Sequence, residues 1–85
     1  MPYIQQKLRK DIDEIVDTYA YHLKADGQLN YFICKLFLKL TRVYGMKYSH
    51  AKRFIGELEM AKMEIYRRWV APYEQQKMEE NGDVE

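Results

Sequence analysis

Apolar residues recur early in the chain at Leu8, Ile12, Ile15, Val16, Tyr19 and Leu23, spacings that keep them on one face of a 3.6-residue helix. Asp11, Asp13, Glu14 and Asp17 fall on the other side, so a helix is predicted from about Gln5 to Lys24. Ala25-Asp26-Gly27 ends it, with Gly27 free to take the left-handed conformation that closes helices. Pro2 holds the start extended, and Tyr3 and Ile4 are expected to fold back onto the helices.

A second helix is predicted over Gln28–Tyr44. Its main stripe is Leu29, Phe32, Ile33, Leu36, Phe37, Leu40 and Val43; Tyr31, Cys34, Leu38 and Tyr44 widen it to most of the circumference. A helix this apolar is either central in the fold or covered by a second subunit. After the connector Gly45-Met46-Lys47-Tyr48, Ser49 is a good N-cap for a third helix starting at His50. That helix places Phe54, Ile55, Leu58, Ala61, Ile65 and Trp69 inward. Gly56 within it suggests close approach by another helix. Pro72 lacks a donor and clashes with the preceding turn, so it should kink or end the helix near Ala71, with one or two further turns available to Tyr73–Glu80.

The expected fold is all-α: a three-helix, antiparallel, bundle-like domain over residues 1–80 with a long third helix, followed by a disordered tail over 81–85. At 85 residues such a domain buries a modest fraction of its surface, and self-association is a direct way to bury more. Eight Tyr, three Phe and one Trp supply rings suited to a core or an interface. Leaving Tyr31, Leu38 and Tyr44 in water would expose an apolar patch that monomers rarely tolerate, so a homo-oligomer, first a dimer, is expected.

Charge is unevenly spread beneath a net +1. Residues 27–56 carry six Lys/Arg and no acid, whereas residues 74–85 carry five acids against Lys77. The single Cys34 cannot form an intramolecular disulfide, the opening MPYIQQKLRK lacks the apolar stretch expected of a secretory signal, and no window has a membrane-length apolar run. The expectation is a soluble cytoplasmic protein with no membrane association.

Candidate chemistry is sparse. His22, Cys34 and His50 are scattered and lack metal-ligand spacing, and Cys34 on the apolar helix reads as inert packing. No phosphate loop, nucleophile elbow or redox pair is present, so neither a catalytic residue nor a cofactor is assigned. Glu57, Glu59 and Glu64 could hold a divalent metal in an all-α nucleotide hydrolase, but such sites add carboxylates from a neighbouring helix and helix 2 has none. Surface ion pairs with Lys62, Arg67 and Arg68 are the favoured reading. Arg42, Lys47, His50, Lys52 and Arg53 cluster at the second connector, beside a helix N-terminus, where a nucleotide or other phosphate ligand could bind. Asn30 and Tyr31 open helix 2 as a candidate recognition pair. Tyr66, Arg67, Arg68, Trp69, Tyr73 and Glu74 form an aromatic and guanidinium cluster typical of protein-partner hot spots.

Several segments carry a resemblance: the opening Met-Pro-Tyr-Ile, Gly27-Gln28-Leu29-Asn30-Tyr31, the run from Ile55-Gly56-Glu57-Leu58-Glu59 through Ala61-Lys62 to Glu64-Ile65-Tyr66-Arg67-Arg68, and Ala71-Pro72-Tyr73-Glu74 with Glu80-Asn81-Gly82-Asp83-Val84. The whole chain resembles a family of short bacteriophage and bacterial proteins of unknown function. The resemblance implies a phage or bacterial cytosol and brings no activity. The polar positions it singles out here include Asn30, Tyr31, Glu57, Glu59, Lys62 and Glu64, with Tyr66, Arg67, Arg68, Tyr73 and Glu74. A non-enzymatic, homo-oligomeric accessory protein that binds a protein partner is the function expected first.

Overall fold

Two glycines bracket the most apolar helix, and both have conformations that other residues rarely adopt. Gly27 has φ +87° and Gly45 has φ +88° with ψ 154°. Between them runs α2, Gln28–Tyr44, with the limits the periodicity predicts. The computed structural model of the protein describes residues 4–84, so the expectations for Pro2 and Tyr3 lie outside the described residues. Every regular element among those residues is helical, and none is a strand.

The amphipathic start of the chain forms α1, Arg9–Tyr19, flanked by 3₁₀ turns at Gln6–Leu8 and Ala20–His22. The helical region is thus slightly shorter at each end than the expected Gln5–Lys24. The Arg9 guanidinium donates to the Ile4 carbonyl at 2.9 Å, holding the entry to the helix. The connector to α2 is pinned by Gln28. Its side-chain oxygen accepts the backbone N–H groups of Lys24 at 2.6 Å and Ala25 at 2.8 Å, while its own N–H donates to the Ala25 carbonyl. A polar side chain reaching back across a helix start in this way satisfies donors that helical geometry leaves open.

The third helical stretch begins at Tyr48, earlier than expected. The N–H groups of His50 and Ala51 both reach the Lys47 carbonyl, so Ser49 lies inside the first turn instead of capping it. α3 spans Tyr48–Ile65, a π-helical turn occupies Tyr66–Val70, and α4 spans Ala71–Asn81. Pro72 therefore does not end the helix. The Ala71 N–H bonds five residues back to Tyr66, and this wider turn directly precedes the proline, where an ordinary helix would be broken. Asn81 closes α4, residues 82–84 have no regular structure, and Glu85 lies outside the described residues.

The chain divides into two units, Pro2–Phe54 and Ile55–Glu85, with the division inside α3. Within the first, α2 meets the start of α3 through Phe37 and Phe54, whose rings stack at 5.1 Å. Ile33, Phe37, Thr41, His50, Ala51 and Phe54 are half-buried there. α1 and α2 do not pack along their lengths. None of the described residues is buried, so the stripes expected to form a core lie open. Leu8, Ile12, Ile15, Val16 and Tyr19 remain 51–56% exposed. Ile55, Leu58, Ile65 and Trp69, expected inward on the third helix, are exposed as well. The expectation for Gly56 is also corrected, because a Cβ built there would meet nothing within 4 Å.

Candidate functional site

The π turn gathers the C-terminal cluster. A helix widened at Tyr66–Val70 changes the angular spacing of its side chains, and π turns of this kind are frequent at functional positions. Glu64, just before the turn, is the anchor: its side chain is only 15% exposed, and its carboxylate lies 2.8 Å from Arg67 and 3.8 Å from Arg68. The Arg68 guanidinium sits 4.8 Å from the centre of the Trp69 ring, a cation–π arrangement that fixes both groups at the surface.

On the far side of the turn, the Tyr66 hydroxyl donates to the Glu74 carboxylate. That hydrogen bond, with the nearby negative charge and a small loss of hydration, raises the Tyr66 hydroxyl above its ordinary pKa of 10.0. Lys77 lies 5.7 Å over the Tyr73 ring, and Tyr66, Tyr73, Glu74, Lys77 and Met78 line a shallow open groove. Five of the six predicted cluster residues, Tyr66, Arg68, Trp69, Tyr73 and Glu74, thus expose pre-oriented rings or charges in one segment. Arg67 is held by Glu64 beside them.

The other predicted sites fare differently. Asn30 and Tyr31 stand in the first turn of α2, in the Pro2–Phe54 unit, where the Asn30 side-chain oxygen accepts a weak bond from the Cys34 thiol at 3.5 Å. Cys34 is exposed, which corrects the expectation that it packs inside. Tyr31 carries the Lys35 ammonium 5.4 Å from its ring.

The basic corner draws Arg42 from the last turn of α2, Lys47 from the connector, and His50, Lys52 and Arg53 from the start of α3. Part of its donor set is engaged locally. His50 Nδ1 lies 3.3 Å from the Gly45 carbonyl, Lys52 lies over the Tyr48 ring, and two first-turn N–H groups are bonded to Lys47.

Of the three acids weighed as metal ligands, Glu59 pairs with Lys62 at 2.9 Å and Glu64 with the two arginines. Among the described residues no three His, Cys, Asp or Glu side chains converge on a possible metal position. No helix among them is long and apolar enough to cross a membrane.

Sequence reasoning paired Glu64 with Arg67 and Arg68, as the structure shows, and missed Gln28 as the pin of the first connector. The signal for Glu64 was its spacing of three and four to Arg67 and Arg68.

These features describe an all-helical chain with an exposed polar and aromatic cluster built on a π turn. The chain belongs to the family described as Domain of unknown function (DUF6899), whose model matches residues 1–84. No curated protein and no solved structure gives a match to the chain.

Proposed function

We propose that the protein is a non-enzymatic helical interaction module, a phage or bacterial accessory factor that works as a homo-oligomer and binds a protein partner. One observation carries this reading: none of the described residues is buried, although α1 and α2 carry long apolar stripes. A helix with a face of Leu, Ile, Phe and Val in water forgoes the main driving force of folding unless something covers that face. Assembly supplies the cover. In the assembled state the three helical stretches form the antiparallel, bundle-like arrangement, as one helical domain.

The π-turn cluster is the proposed partner surface. Trp, Tyr and Arg dominate binding hot spots because they combine apolar area with directed polar groups, and Trp69, Tyr73 and Arg68 are already held in place by neighbours. Size exclusion coupled to light scattering at micromolar concentration tests the assembly. A mass above one chain is expected, and a single-chain mass at all concentrations with a strongly helical spectrum would overturn the reading.

A further inference from the structure

From the Pro2–Phe54 unit we infer that a second copy of this chain covers the open stripes, with α1 of each copy docked along α2 of the other. This rests on the homo-oligomer proposed above and adds which surfaces meet.

Two faces in this unit lack a partner. On α1 it is Leu8, Ile12, Ile15, Val16 and Tyr19; on α2 it is Leu29, Phe32, Leu36, Leu40 and Val43, which are 36–57% exposed. The second stripe lies to one side of Ile33, Phe37 and Thr41, the positions half-buried around the start of α3. It is therefore a separate surface, which the α2–α3 contact leaves open. Aromatic side chains offer on the order of 150–250 Å² each, and Leu, Ile and Val fall towards or below the lower end of that range. Ten such residues at about half exposure present on the order of 900 Å² per copy, matching the ~800 Å² per partner of a standard stable interface.

The connector is pinned in a geometry in which α1 does not pack along α2 of the same chain. Gln28 ties Lys24 and Ala25 to the first turn of α2, and Gly27 at φ +87° sets the chain's direction at that point. Docking from another copy leaves these bonds intact.

Charge complementarity selects the pairing. α1 brings Asp11, Asp13, Glu14 and Asp17 against Arg9 and Lys10, whereas α2 brings Lys35, Lys39 and Arg42 and no acid. α1 against α2 brings a net-negative helix to a net-positive one, with Asp11 nearest the apolar seam and the other α1 acids turned further from it, while α2 against α2 sets basic residues against basic ones. A twofold axis then generates two identical seams.

The test is a complementation experiment on the full chain. One variant reverses charge on α1 (Asp11→Lys, Asp13→Lys, Asp17→Lys) and another on α2 (Lys35→Glu, Lys39→Glu, Arg42→Glu). Each alone meets two repulsive seams and should associate about tenfold or more weakly than the natural chain. Mixed one to one, they form a heterodimer with one natural and one doubly reversed seam, and association should return. A second measurement needs no variant. An equal mixture of ¹⁴N and ¹⁵N natural chains, treated with a carbodiimide, should give mixed-mass cross-links between residues 11–17 and residues 35–42. An oligomer that shows neither rescue nor those cross-links would overturn the α1–α2 pairing and leave the homo-oligomer standing. A monomer throughout would overturn both, and would mean that another segment of the same chain covers the stripes.

Discussion

In Ile55–Glu85 the helical backbone is braced by side chains of its own helix, whereas in Pro2–Phe54 the helices present apolar faces with little to brace them. The C-terminal unit pairs Glu59 with Lys62, Glu64 with Arg67 and Arg68, and Lys77 with Glu80, and bonds Gln76 to Glu80. Pairs at these spacings add about 0.2–0.5 kcal/mol each, less where solvent screens them. In contrast, fully burying a Leu or Phe is worth about 1.5–3 kcal/mol, and those of the α2 stripe, roughly half exposed, have about half of that still to gain. A few apolar side chains in the first unit can therefore outweigh all the ion pairs of the second. The C-terminal helix gains from local pairs that are already made, while the N-terminal helices gain more, and only when assembly covers their stripes.

The largest expected effect comes from breaking the apolar side of this contrast. Leu36→Asp puts a charge in the middle of the open α2 stripe, where covering it would strand an unpaired carboxylate. Light scattering should then show a single-chain mass, and circular dichroism should show a loss of helical signal. Retention of the assembly would mean that the α2 stripe is not its seam.

A smaller effect is expected from the braced side. Glu64→Gln removes the charge that holds Arg67 and Arg68, and should cost no more than about 1 kcal/mol because both arginines remain largely in solvent. Thermal melts at low and high salt provide the measurement. The difference between natural and variant chains should shrink as salt rises, since exposed pairs are screened. A loss of several kcal/mol, or one insensitive to salt, would show that Glu64 supports more than the π turn.

Smallest of all is the Tyr66–Glu74 hydrogen bond. Because it raises the Tyr66 pKa above 10.0, its contribution is fully present below that pH and is lost as pH climbs through the raised value. In a titration followed by tyrosinate absorbance, Tyr66 should ionise late, and Tyr66→Phe should remove that late step. A late step that survives the substitution would place it on another ring.

Much of the helical pattern was legible in the residues, for reasons that differ from element to element. The limits of α2 could be read because a strong apolar period is bounded by Gly27 and Gly45, residues that can take backbone angles closed to others. The start of α3 was harder to place. Ser49 is chemically suited to capping, but the chain turns helical at Tyr48 and Lys47 supplies the first carbonyl. The continuation through Pro72 was obscured because proline chemistry announces a break, while the π turn that accommodates it has no residue signature of its own. Residues of the C-terminal cluster could be named from their types and spacing, but which of them pair, such as Arg68 with the Trp69 ring, could not. The openness of the stripes could not be read at all. Periodicity shows which face of a helix is apolar, but it carries no record of what lies against that face.

The π turn at Tyr66–Val70 has a consequence for how the helix keeps angular time. Each residue of an α-helix advances about 100° around the axis, and a wider turn holds one residue more than an α turn. Side chains in α4 are therefore offset by about one position from the phase set in α3, as though a residue had been inserted. Counting by 3.6 from Leu58 or Ile65 assigns Tyr73 and Met78 to the wrong meridian. A relative lacking one residue between positions 66 and 70, and lacking the proline, would run the same stretch in unbroken phase. Its outward face at α4 would be composed of different residues from those displayed here.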